Sequence, residues 1–190
     1  MSNSTDGVPV PVTGRWNATM TAVSSNSDAL PALAEEVEQF VAAAGWDQPV
    51  QLFALVPTAE LLRMQPELAG QLDAGSALTP IAQDSLPDGD LGAALAGIMW
   101  PDAVHGCALV QEIVVLPPEA EAQMNASDQD AEKLRQLAAE HPQRQEARLV
   151  AAVLRDGGEA CVMRLRNHDD LLKGPGLAPN LTAALHATFT

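Results

Sequence analysis

The clearest periodic signal in the chain is a helical stripe. Leu30, Leu33, Val37, Phe40, Val41 and Ala44 recur at three- and four-residue steps. Asp28 stands where an N-cap belongs and Gly45 where a helix stops, while Glu35, Glu36 and Glu38 fall on the outward side. The pattern predicts one helix over residues 28–44. Trp46-Asp47-Gln48-Pro49 then turns the chain into residues 51–56, an apolar run of strand length closed by Pro57. Thr58 can cap a short helix over 59–64, and 66–72 adds a helical turn. Residues 73–90, rich in Gly, Pro, Ser and Asp, read as a surface loop with a brief extended piece at 78–82. Residues 91–99 read as a short helix broken by Trp100-Pro101-Asp102.

The strongest strand covers residues 106–116. Cys107, Leu109, Ile113 and Val115 lie on one face, and Ala108, Val110, Val114 and Leu116 on the other. A strand apolar on both faces is covered on both sides and sits centrally. Pro117-Pro118 ends it, a polar acidic segment follows, and 129–140 is helical through Leu134 and Leu137. Two strands then flank Asp156-Gly157-Gly158. A two-residue loop would set Asp156 against Glu159, like charges across the ladder, whereas a three-residue loop pairs Arg155 with Glu159. The second register is expected. It aligns Leu149, Ala151 and Val153 with Leu165, Met163 and Cys161, and sets Arg148 opposite Arg166, with Arg164 beside them on the other face. Residues 167–179 read as a polar loop, and 180–189 as an amphipathic helix with Leu181 and Leu185 inward.

This order predicts an α+β fold, a mainly antiparallel sheet with helices packed on it and terminal helices. One domain over residues 28–190 is expected. Residues 1–27, aperiodic and rich in Ser, Thr, Asn, Val and Pro, are expected to form a disordered tail.

Composition adds that the core is thin in large side chains. Of the 190 residues 33 are alanine, none is tyrosine, and Phe and Trp number three each. Alanine buries about one methyl group's worth of area, so Leu, Val and Ile at a few positions must carry the core. High Ala and Arg with two lysines is the bias of a GC-rich genome. The net charge is −15, which argues against a nucleic-acid binder, because Lys and Arg supply most affinity for a phosphate backbone. The charge is unevenly spread. Through residue 132 there are 19 acidic residues against Arg15 and Arg63; from Lys133 onward, 6 acidic against 8 basic. No apolar run nears the roughly 20 residues needed to span a bilayer, and the N-terminus lacks a secretory pattern. Cytoplasmic location, without membrane attachment, is therefore expected. Cys107 and Cys161, each in an apolar stretch, read as buried free thiols.

Catalytic and cofactor motifs are sparse. No two of His105, His141, His168 and His186 have the spacing that puts two imidazoles on one helical face. His168-Asp169-Asp170 reads as a solvated charge cluster or a weak metal set, and His105 with Cys107 as a structural pair or a thiolate–imidazole pair. Trp100-Pro101-Asp102 resembles the acid loop of tyrosine phosphatases. The arginine their cradle needs is replaced by Ile113 counting from Cys107, and by Asn167 counting from Cys161. The glycine spacing of Gly92 and Gly97 lacks the Lys-Ser/Thr of a phosphate-binding loop, and no G-x-S-x-G, G-x-G-x-x-G or C-x-x-C occurs. No catalytic residue, metal or cofactor is assigned. Trp46 and Trp100, each at an element boundary, read as core plugs or as anchors for a partner. Arg148, Arg164 and Arg166 read as internally paired with the acidic first helix, or as a patch for an acidic partner segment.

The run EVEQFVAAAGWDQPVQLFALVP over residues 36–57, with Trp100-Pro101, Gly106-Cys107-Ala108-Leu109 and Leu116-Pro117-Pro118, resembles an uncharacterised family of small acidic actinobacterial proteins designated by a locus tag. The resemblance covers most of 28–190. It implies lineage; no residue takes a role from it. Element order and charge are also similar, at fold level alone, to type III secretion chaperones and the sensory-like proteins that share their fold. The expected function is a non-enzymatic module that binds another protein or a second copy of itself. The alternative is a small-molecule or metal-using enzyme with an unrecognised active site.

Overall fold

The computed structural model describes residues 14–72, 76–84, 86–87, 89–126 and 130–190. Six strands form one open antiparallel sheet in the order β2-β1-β3-β4-β5-β6. They are β1 (Gln51–Pro57), β2 (Leu78–Ala82), β3 (Gly106–Val115), β4 (Gln145–Leu154), β5 (Glu159–Leu165) and β6 (Leu171–Lys173). The helices are α1 (Gly14–Ala42), α2 (Thr58–Met64), α3 (Leu91–Ala96), α4 (Pro118–Asn125), α5 (Ala131–Glu140) and α6 (Pro179–Ala187). The fold is α+β.

β3 and β4 sit at the centre, as a strand apolar on both faces demands. On one face, Phe53, Leu55, Ala108, Val110, Val150, Ala152 and Val162 meet Leu30, Leu33, Ala34, Val37 and Val41 of α1. On the other, Leu52, Cys107, Leu109, Ala151, Val153 and Cys161 meet Leu95 of α3 and Leu185 of α6. One helix thus covers one face and α3 with α6 cover the other.

Several boundaries differ from the sequence reading. α1 begins at Gly14 and not at Asp28, with Pro31 inside it. The expected start rested on Asp28 as an N-cap; Pro31, at ease in a helix's first turn and unfavourable in its interior, sits mid-helix instead. Residues 1–13 of the expected tail lie outside the described residues. Thr58 opens α2 without a side-chain cap bond, and its Oγ1 meets Thr79 Oγ1 of β2 at 2.8 Å instead. Asp90 caps α3, its Oδ1 accepting from Gly92 N–H at 2.9 Å. α4 and β6 were not expected. α4 buries only Ala120 among its described side chains and so lacks a stripe, and β6 is three residues long.

The hairpin register is also shifted by two residues. Arg148 pairs with Arg164, Leu149 with Met163, Ala151 with Cys161 and Val153 with Glu159. The loop has three residues, but they are Arg155-Asp156-Gly157: Leu154 N–H donates to Gly158 O at 2.7 Å, and Gly157 N–H to Leu154 O at 3.0 Å. Gly157 at φ +108 supplies the left-handed residue that closes this turn. The Arg155–Glu159 attraction did not set the register. Arg155 turns away, donating to Val104 O at 3.2 Å and Pro101 O at 3.0 Å.

Candidate functional site

The three hairpin arginines share one face, which a two-residue register shift leaves unchanged; the expectation that Arg164 takes the other face is overturned. Arg164 lies directly across from Arg148, and Arg166, two residues on, shares its side because strand side chains alternate. This is the α1 face, since Val150 and Val162 next along each strand pack on α1. Two like charges opposite each other repel unless a counter-charge intervenes. Glu38 supplies it.

Glu38 is fully buried and reaches both cations. Arg164 Nε–H donates to its Oε1 at 2.8 Å and Nη2–H to its Oε2 at 3.0 Å, a two-point grip. Arg148 Nη1–H donates to the same Oε1 at 3.4 Å. The hydrogen bond to Glu38 holds the Arg164 guanidinium above its ordinary pKa, outweighing partial burial, which pulls it down. The expectation that Glu38 faces outward is therefore overturned. The stripe reading treats every carboxylate as a solvent residue, and here two arginines 110 and 126 positions away offset its desolvation.

Arg148 is 1% exposed and acts as the hub. Its Nη2–H donates to Gly45 O and lies 3.5 Å from Glu112 Oε1. Among the described residues, its Nε is the buried side-chain nitrogen without a hydrogen-bond partner. Above its plane stands Trp46, with the ring centre 4.5 Å from Cζ, and Arg166 approaches the same ring at 5.5 Å. The turn after α1 makes this stacking possible. Gly45 at φ +90 ends the helix, and Asp47 at φ +64 continues a left-handed bend that aspartate tolerates. Glu112 of β3 pins that bend, accepting from Asp47 N–H at 2.9 Å and Gln48 N–H at 3.3 Å. Arg166 completes the cluster with Glu146 and Asp47, whose hydrogen bonds raise its pKa in that order of size.

Trp46, Arg148, Arg164 and Arg166 are thus one cluster, and Trp100 lies elsewhere. Its ring stacks on Phe189 with centres 6.0 Å apart, and its Nε1–H donates to Thr188 Oγ1 at 2.9 Å. This is the α6 side of the sheet. Cys107 lies on that side too. Burial pushes its thiol up to about 12, a hydrogen bond with Thr188 offsetting part of the rise, so it is far from a thiolate at neutral pH. Neither cysteine forms a disulfide, and both are buried. His168, Asp169 and Asp170 are exposed, and Asp169 O accepts from Arg164 Nη1–H at 2.7 Å. Among the described residues, no three His, Cys, Asp or Glu side chains could hold a metal ion. No described helix is long and apolar enough to cross a membrane.

A second feature escaped the stripe reading. Phe40, placed on the inward stripe by periodicity, is 66% exposed and touches Phe53 only edge-on, ring centres 6.2 Å apart. It borders a cavity of about 120 Å³ between α1 and β2, with Val37, Phe53, Pro80 and Ala82 as apolar walls. The signals for both features lay in the residues. An arginine inside the apolar run Ala147-Arg148-Leu149-Val150 demands a buried carboxylate, and a proline in a five-residue strand marks a sheet edge.

No curated protein and no solved structure matches the chain. A family model described as PPA1309-like protein matches residues 30–190, α1's packed half through to the C-terminal helix. The chain belongs to the PPA1309-like protein family.

Proposed function

We propose that the chain is a non-enzymatic, cytoplasmic protein-binding module, chaperone-like or regulatory in role. The observation that carries this reading is Phe40, an aromatic ring left in water at the rim of an apolar groove. Burying such a ring yields about 1.5–3 kcal/mol, stabilisation that the isolated fold forgoes and a partner's side chain recovers. The arginines support the same assignment by exclusion from it. Arg148 and Arg164 are engaged with Glu38, and Arg166 with Asp47 and Glu146, so they hold the scaffold while the groove stays open.

Quantitative pull-down from native lysate at low salt, wild type beside Phe40→Ser, tests this. A protein enriched by wild type at least about tenfold over the variant is the expected result, in keeping with an aromatic anchor. Identical profiles for the two proteins contradict it.

One observation favours the enzyme alternative. A polar cleft of about 530 Å³ at the open end of the β4–β5 hairpin is lined by His141, Arg144, Glu146, Arg166 and His168 among others. A metabolite and metal panel read by thermal shift decides: a specific shift abolished by His168→Ala favours that reading, and none favours the binding module.

A further inference from the structure

Resting on the protein-binding reading, we propose that the groove between α1 and β2 receives a short partner segment with apolar anchors flanked by Lys or Arg, held by side chains and not as an added strand. Two cavities, of about 350 Å³ and 120 Å³, lie along this groove and share Glu36. The larger is floored by small residues, Ala29, Ala32 and Ala77, beside Leu33 and Leu78, which leaves room for an inserted apolar side chain. The smaller has Phe40 at its rim.

Charge selects the occupant. Among the described residues, Glu36 is the one charged side chain in either lining, and it makes no ion pair; its neighbour Glu35 is held by Lys173 at 2.7 Å. The groove's elements come from residues 28–84, where nine acidic residues face Arg63 alone in sequence. A cationic flank meets an unpaired carboxylate in an acidic field, and an anionic flank meets repulsion.

The strand edge points the same way. β2 is outermost in the sheet. Thr58 N–H donates to Ala77 O at 3.1 Å and Gln83 N–H to Leu52 O at 2.8 Å. Odd-numbered residues of β2 therefore turn their backbone groups toward β1, while Leu78, Pro80 and Ala82 turn theirs outward. Pro80 has no N–H to offer. A strand added at this edge would lose its middle hydrogen bond, so pairing is blunted. The outward carbonyls of Leu78, Pro80 and Ala82 remain acceptors, suited to guanidinium and ammonium donors. An acceptor-rich edge beside an unpaired carboxylate and an apolar slot fits a basic, apolar segment.

The test is selection of a random dodecapeptide library displayed on phage against the full chain, followed by anisotropy titration of recovered peptides. Wild type, Glu36→Gln and Phe40→Ser are compared, with circular dichroism confirming the folds. The expected peptides carry apolar anchors with excess Lys and Arg, lose binding to Phe40→Ser, and weaken about fivefold on Glu36→Gln, as one exposed charge pair allows. Peptides that depend on Phe40 but show no basic excess overturn the proposal and leave the protein-binding reading standing. A Phe40-dependent homodimer in light scattering overturns it in favour of a second copy as occupant. No Phe40-dependent peptide at all, with lysate profiles unchanged by Phe40→Ser, overturns both. Tighter binding by Pro80→Val would show strand addition and also overturn it.

Discussion

On one flank of α1 a carboxylate, Glu38, is fully buried between two arginines; on the other, about 200° away around the same helix, Phe40 stands 66% exposed. Hydropathy alone would exchange them. The difference lies in what the sheet presents beneath each flank. Under Glu38 run β4 and β5, which place Arg148 and Arg164 side by side and need a shared anion. Under Phe40 the sheet runs out at β1 and β2, leaving Phe53, Pro80 and Ala82 as a shallow wall. Burial here is decided by the opposing surface, and the ends of one helix turn serve two purposes: one fastens the fold, the other stays available.

The largest expected effect comes from breaking the fastened flank on one side only. Glu38→Gln leaves Arg148 and Arg164 without their common carboxylate, and denaturant unfolding should show a loss of about 3–5 kcal/mol. A sharper version replaces the whole trio, Glu38→Leu with Arg148→Met and Arg164→Leu. Removing the trio's charges together should recover most of that loss, because the penalty belongs to stranded partners; Glu112 and Gly45 O, which also lose Arg148, keep about 1–2 kcal/mol of it.

The face opposite α1 provides a contrast in pH dependence. Cys107 has a folded pKa raised to about 12 from an ordinary 9.0 by burial. Its contribution is whole below pH 9 and is lost as pH rises toward 12, because the unfolded thiol ionises first. Stability should fall there by up to about 1.4 kcal/mol per pH unit, and Cys107→Ala should flatten that decline. The arginines, held above their ordinary pKa by Glu38, Glu146 and Asp47, should leave no slope between pH 6 and 9. A smaller effect is expected for Trp46→Ala, about 1–2 kcal/mol, from the ring shared by Arg148 and Arg166; a salt titration should leave most of it intact.

Much of the architecture was legible because it is local. β1, β3 and the hairpin strands follow from apolar runs and turn residues, and Leu78–Ala82 was visible as an extended piece within a loop. What escaped was set by distant partners or by backbone geometry. Glu38 reads as solvent-facing until Arg148 and Arg164 are known to lie beneath it. The hairpin turn closed on Gly157, with Arg155 bonded to the distant carbonyls of Val104 and Pro101 and not paired with Glu159. Of the residues singled out in advance, Trp46, Arg148, Arg164 and Arg166 do meet, but as a cluster that holds the turn after α1. The groove at Phe40 depends on where the sheet ends, which no residue pattern within α1 encodes.

The most direct test of the two-flank account is urea unfolding of Phe40→Ser alongside Glu38→Gln. The account predicts that replacing the aromatic residue changes stability by less than about 1 kcal/mol, while replacing the carboxylate costs several times more. Equal losses, or a larger loss at Phe40, would contradict it.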